Sequence, residues 1–250
     1  MALDLKKMKQ KLDNLQNRGG GGSSTIRFWK PQEGNNTVRI VCPKDGDAFK
    51  GRHLHYNVGK RAFLCPEKNF DEDCPVCDFG RSLYKQGDPE SISQAKTMFA
   101  RQRYYSPVVV RGEESEGVRW WGYGKTVYET LLKLVLNPEY GDITDPETGT
   151  DLDVAYDRPP GASFPKTTIV AKRRSSPVCP DMTSEECREL LDSIPDFDAL
   201  FDTKSSAEIT ALLNEHLTTE ADAEGLSTET EKYASTTKST VDDAFSELLG

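Results

Sequence analysis

The hydrophobic pattern of this chain changes period several times. Over residues 25–42, Val38, Ile40 and Cys42 alternate with Arg39 and Val41, and a turn at 33–36 divides the stretch into two short strands. A further strand is predicted over 48–58, with a hairpin return at 62–65. Residues 78–86 and 89–99 read as helices, the second opening at Pro89. The strongest hairpin signal follows. Tyr104-Tyr105-Ser106-Pro107-Val108-Val109-Val110 is aromatic and β-branched, a turn occupies 113–117, and Val118-Arg119-Trp120-Trp121-Gly122-Tyr123 returns. Val127, Leu131, Leu134 and Val135 then share a helical face over 126–136, which ends before Pro138. Strands at 152–156 and 167–172 flank the break Pro159-Pro160-Gly161. Beyond Pro177, helices are predicted at 184–191 and 206–217, the first opened by the capping pattern Thr183-Ser184-Glu185-Glu186.

The two ends have a different character. Leu3, Leu5, Met8, Leu12 and Leu15 fall at near-helical spacing with Lys6, Lys7, Lys9 and Lys11 between them, and the run Gly19–Gly22 sets this segment apart. A basic amphipathic helix on a flexible leash is expected to dock on a neighbouring protein, which makes the four lysines candidates for self-association. From Thr218 onward Ser, Thr, Glu and Asp dominate, the composition of a disordered tail. Its acidic tip carries Phe245, Leu248 and Leu249, the pattern of a docking peptide. The chain therefore divides into a basic segment with a glycine linker at 1–24, a core at 25–217 and an acidic tail at 218–250.

Charge sharpens this division. The net charge of −9 over 250 residues would argue against a polyanionic partner if it were spread evenly. Residues 1–30 instead hold seven Lys/Arg against two Asp/Glu, residues 31–176 hold 21 of each, and residues 177–250 hold four against 18. The acidity belongs to the last third, so the first two thirds can present a basic face. No apolar run is long enough to cross a bilayer and the first residues lack the apolar block of a signal peptide, so a reducing, cytoplasm-like setting and no membrane partner are expected.

Three cysteines and two histidines meet between His53 and Cys77. The Cys74-Pro-Val-Cys77 pair lets two thiolates hold one ion from a single turn, and Cys65 with a histidine completes a tetrahedral Cys3His shell for Zn(II). Either His53 or His55 can supply the nitrogen; His55 is nearer to Cys65. The acidic loop Asp71-Glu72-Asp73 before Cys74 would raise a thiol pKa, which disfavours a redox pair. The spacing offers four protein ligands, so one structural ion is expected rather than a catalytic one.

Aromatic and cationic residues are interleaved through the middle of the chain. Tyr84, Tyr104, Tyr105 and Trp121 alternate with Arg101, Arg103, Arg119 and Lys125, and Lys172-Arg173-Arg174 adds three consecutive cations. Single-stranded nucleic acid asks for flat rings to stack on its bases and cations for its phosphates. Within each of Trp120/Trp121 and Tyr104/Tyr105, strand alternation places one ring outward. No phosphate loop, nucleophile elbow or convincing carboxylate pair is present, so the chain is expected not to be an enzyme. A zinc-containing protein-interaction or RNA-binding module is the alternative. Many short strands with helical additions and a metal clip at about 53–100 suggest a mainly β chain built on a small partly open barrel, a class that includes the OB-fold.

In its ordered motifs the chain resembles the single-stranded-DNA-binding, helix-destabilising proteins of T-even-type bacteriophages. The likeness runs through His55-x9-Cys65-x8-Cys74-Pro-Val-Cys77, Leu83-Tyr84, Tyr104-Tyr105 before Val108-Val109-Val110, Glu116-Gly117-Val118, Tyr123-Gly124-Lys125 and the acidic-apolar tip. The resemblance implies an OB-fold core with a zinc-stabilised subdomain, ligated by His55, Cys65, Cys74 and Cys77. It implies groove aromatics at Tyr84, Tyr104, Tyr105 and Trp121, with Lys125 in the adjoining phosphate-contacting patch. It further implies cooperative, sequence-independent binding, head-to-tail along the strand through the basic N-terminus. The tail would contact replication and recombination proteins (polymerase, helicase loader, recombination mediator) in the cytoplasm of an infected bacterial host. The family's mixed basic and Ser/Thr signature is reduced near the N-terminus and at Arg101-Gln102-Arg103. Lys172-Arg173-Arg174-Ser175-Ser176 carries that chemistry elsewhere, where it lines the groove or receives the acidic tail.

Overall fold

Strand β5 (Arg101–Val110) is the axis of the sheet in this computed structural model, which describes residues 28–225. Lys6, Lys7, Lys9 and Lys11 and the tip residues Phe245, Leu248 and Leu249 lie outside the described residues. Strands β1 (Phe28–Trp29), β2 (Gly34–Ile40), β3 (Lys50–His55) and β4 (Phe63–Leu64) precede β5. Strands β6 (Arg119–Tyr123), β7 (Thr150–Asp157) and β8 (Lys166–Ser175) follow it. They form one mixed sheet in the order β1-β6-β5-β2-β7-β8, with β3 on β5 and β4 on β3. All pairings are antiparallel except that of β1 with β6.

The order β6-β5-β2-β7-β8 is that of a five-stranded, partly open Greek-key barrel of the oligonucleotide-binding type. Helix α4 (Lys125–Val135) lies between the third and fourth barrel strands and turns Val127 and Leu131 into the core. Val38, Ile40, Val108, Val110, Leu152 and Val154 fill the interior from three adjacent strands, as period-2 alternation requires.

One edge of β5 serves two partners in succession. Val108–Val110 pair with β2, while Arg101–Tyr105 pair with β3. The chain leaving β2 thus steps out of the barrel and builds an insertion along the free half of β5. The insertion contains β3, β4 and helices α1 (Pro66–Phe70), α2 (Pro75–Gln86) and α3 (Pro89–Met98). Each helix begins with proline, whose fixed φ suits the first helical position and whose missing N–H is not needed there. Helix α2 accordingly starts at Pro75, three residues earlier than the apolar spacing suggests, and takes Cys77 into its first turn.

The acidic helices then fold back over the sheet. Helix α5 (Ser184–Asp192) has the full capping box between Thr183 and Glu186. Helix α6 (Ser206–Gly225) continues past the boundary expected at 217 and buries Ile209 and Leu213 among Val58, Phe63, Val76 and Met98 of the insertion. Burial of two such side chains contributes roughly 1.5–3 kcal/mol each. Cys179 and Cys187 form a disulfide that ties the segment after β8 to α5. Beneath them, Asp151 accepts from Arg39 Nε (2.9 Å) and Arg111 Nε (3.0 Å), and Arg39 Nη2 donates to the Ser176 carbonyl (2.6 Å). This buried ion network fastens 145–151 and 176–178 to β2 and β5.

Candidate metal centre and nucleic-acid cleft

His55 ends β3, Cys65 follows β4 as the N-cap of α1, Cys74 is the N-cap of α2, and Cys77 sits in that helix's first turn. All four are buried, and their donor atoms lie within 4.8 Å of one another. Cys65 Sγ is 3.5 Å from Cys77 Sγ, and His55 Nε2 is 3.3 Å from Cys74 Sγ and 3.7 Å from Cys77 Sγ. A tetrahedral ion with Zn–S bonds of about 2.3 Å and a Zn–N bond of about 2.0 Å separates its donors by roughly 3.5–3.8 Å. The three closest pairs already match this spacing, and the widest, at up to 4.8 Å, closes onto one tetrahedral cation with a shift of about 1 Å. His55 Nδ1–H donates to the Met98 carbonyl at 2.7 Å, which turns the Nε2 lone pair toward the sulfurs.

Between the two candidate histidines, the geometry selects His55. His53 lies two residues back along the strand, about 6.6 Å away, and its backbone amide is held by the Asn69 side chain. Burial, with Lys68 nearby, lowers the His53 pKa. At the cluster, hydrogen bonds from Cys74 and Cys77, helped by the backbone amides of Lys68 and Glu67, pull the Cys65 thiol down to about 3. Cys77 is pushed up by the same sharing of protons with Cys65 and Cys74. A divalent cation removes the conflict, because it replaces the shared protons with positive charge.

Next to this centre, a cleft of about 1000 Å³ opens between the insertion and the barrel. Six of its lining residues are aromatic (Phe28, Trp29, Tyr56, Phe63, Tyr105, Phe201) and five are cationic (Lys30, Arg61, Arg101, Arg103, Lys204), against the single carboxylate of Asp202. Alternation along β5 explains the central three, since Arg101, Arg103 and Tyr105 share one face. Gly122 lies opposite Tyr105 on β6, and a Cβ there would come within 2.8 Å of the ring, so glycine lets the ring lie across the neighbouring strand. Burial raises the Tyr105 and Tyr56 phenol pKa values above the ordinary range, so both stay neutral.

The expected groove residues are not all together. Arg101, Arg103 and Tyr105 line the cleft. Tyr104 points to the other face of β5 and stacks on Tyr128, with ring centroids 3.8 Å apart. Trp121 does not face a groove: it is 1% exposed and packs edge-on against Trp29 at 5.6 Å. Nor does Trp120 face out, because the segment after α5 covers that side of β6 and its Nε1–H donates to the Pro195 carbonyl at 3.0 Å. Both faces of β6 are covered, so the expectation of one outward tryptophan fails. Arg119 is engaged by Glu113 at 2.6 Å, away from the cleft lining. Tyr84 is exposed on α2 beside Phe99, outside the cleft lining. Lys125 is exposed at the start of α4, next to Gly124 on the rim. Lys172 and Arg173 belong to a separate polar pocket with Asn137 and Tyr140, and Arg174 is exposed beside them on β8. Sequence reasoning missed Phe28, Lys30, Tyr56, Arg61, Phe201 and Lys204. Only the aromatic-plus-cation pair Phe28 and Lys30 carries a local signal.

Fold and site together define an oligonucleotide-binding-type barrel with a buried Cys3His cluster close enough to bind a metal ion. The chain matches the family described as gp32 DNA binding protein like over residues 20–218, and belongs to it. It is thus a single-stranded-DNA-binding protein of the T4 gp32 type, in a family defined by binding rather than by catalysis. No curated protein matches the chain. No helix among the described residues is long and apolar enough to cross a membrane.

Proposed function

We propose that the chain binds single-stranded DNA without sequence preference in the cleft between the insertion and the barrel, with rings for the bases and cations for the phosphates. The observation that carries this is the convergence of six aromatic and five cationic residues on one cleft in a chain of net charge −9. The metal is one structural Zn(II) held by His55, Cys65, Cys74 and Cys77. Four protein donors close a tetrahedral shell, so the ion supplies stability rather than an open coordination position. Residues 1–24, through Lys6, Lys7, Lys9 and Lys11, link neighbouring copies along the strand. The tail at 218–250 offers Phe245, Leu248 and Leu249 to replication and recombination proteins. The protein protects and organises template strands and catalyses no reaction.

Fluorescence anisotropy with labelled oligo(dT), the corresponding RNA and duplex DNA tests the binding mode. Preference for the single strand, with a marked loss in an R101Q/R103Q variant, is expected. Equal binding of duplex, or an unaffected variant, would reject the cleft as the site. For self-association, deletion of residues 1–24 is expected to weaken binding to long strands far more than to one-site oligonucleotides, and equal losses would reject that role.

A further inference from the structure

We propose that residues 200–204 are an internal occupant of the cleft, a strap that a single strand must displace to reach Tyr105. This rests on the cleft being the DNA site. The strap hangs between two firm anchors. At its first end, the Pro195 carbonyl accepts from Trp120 of the barrel and Phe197 is 2% exposed, while Arg52 of the insertion lays its guanidinium 4.8 Å above the Phe197 ring and pairs with Asp198. On the insertion side, Ser205 caps α6 through Glu208, and Ile209 and Leu213 sink into the core around the metal ligands.

Between these anchors the hold is weak and its chemistry imitates the ligand. Phe201 sits edge-on to Tyr105 with centroids 5.3 Å apart, and 6.0 Å from Phe28. It therefore occupies the side of Tyr105 that a base would contact. Asp202 follows at once as the only carboxylate of the lining, against four cations outside the strap, Lys30, Arg61, Arg101 and Arg103. A ring followed by a negative charge is the pattern of one nucleotide. Among the described residues neither Asp202 nor Arg101 is in an ion pair, so half-buried apolar packing of Leu200 and Phe201 around Phe197 and Tyr105, with diffuse attraction at Asp202, holds the strap while DNA is absent. A closed strap lowers apparent affinity in proportion to the open fraction, and DNA binding shifts the population to open.

The test uses the full chain with a short oligo(dT), so that contacts between copies add nothing. F201A is expected to bind about tenfold tighter, the equivalent of about 1.4 kcal/mol. D202N, a change at an exposed position that leaves packing alone, is expected to bind tighter at low salt, with the gain fading as salt rises. Amide hydrogen exchange should show 200–204 losing protection when oligo(dT) is added, while 101–105 gains it. F201A or D202N affinity at or below that of the parent, or a gain of protection over 200–204, overturns the strap: Phe201 would then be a stacking platform or a bystander. Parental binding by R101Q/R103Q is a different failure, that of the cleft reading itself.

Discussion

Salt dependence offers a quantitative check on the cleft as a phosphate track. Lys30, Arg61, Arg101, Arg103 and Lys204 line it. If each neutralises one phosphate of a single strand, log K falls against log salt with a slope of about −0.7 per contact, or about −3.5 in all. Raising monovalent salt from about 50 to 200 mM should then weaken binding by roughly two powers of ten. Arg101 is the cleanest residue to remove, because it is exposed, whereas Arg103 Nη2 also donates to the Gly122 carbonyl at 3.2 Å. R101Q should flatten the slope to about −2.8, and K172Q/R173Q, which lies in the separate pocket, should leave it unchanged. The assay is anisotropy titration of a one-site oligo(dT) across a salt series. An R101Q slope equal to the parental one would refute the assignment. A flattened slope in K172Q/R173Q would move the track toward β8.

Three further outcomes are expected. Cys77→Ser should release the metal, measured by elemental analysis and a chromophoric chelator, and open residues 53–100 to protease; full metal content with parental protease resistance would remove the structural role. Asp151→Ala leaves Arg39 and Arg111 buried without their partner and should lower stability by about 3–5 kcal/mol in denaturant unfolding, so a loss below about 1 kcal/mol would count against the network. Burial opposes the Asp151 charge, yet Arg111 and Arg39 hold its pKa below the usual value near 3.9, so its contribution is present above that pH and is lost as pH falls through the lowered folded value. Gly122→Ala forces the Tyr105 ring aside and should cost about 1–3 kcal/mol of stability along with oligo(dT) affinity; parental melting and binding would show that the ring is free to move.

Much of the framework was legible in the chain because it rests on local chemistry. Alternation at Val38 and Ile40, the run Val108-Val109-Val110, the Thr183/Glu186 box and the Cys-x2-Cys spacing are properties of short segments, and each stands where the pattern places it. The cleft was legible only along β5. Its other walls come from residues far apart in the chain, such as Phe28, Tyr56 and Phe201, which no periodicity connects. Trp121 shows the reverse failure. Strand alternation says that one of two adjacent rings faces out, but it does not say that a distant segment, Pro195–Phe201, will cover the outer face. His55 over His53 was likewise undecided by spacing, since the strand places both on one face; the approach of His55 Nε2 to the sulfurs, oriented by the hydrogen bond to Met98, distinguishes them.

The Cys3His cluster and the proposed DNA cleft share one strand, and this sets how they would communicate. The first half of β5 pairs with β3, which ends in the ligand His55, while the second half pairs with β2 inside the barrel. Arg101, Arg103 and Tyr105 lie in the first half. Loss of an ion held by this cluster would free β3 and with it one border of these three residues, yet leave the pairing of Val108–Val110 intact. A ligand variant should therefore lose oligonucleotide affinity while the barrel core keeps its protection in hydrogen exchange. Damage to Asp151 should act in the opposite way, loosening the barrel first. A metal held there would thus bear on DNA binding through the strand it braces, with no contact between ion and phosphate required.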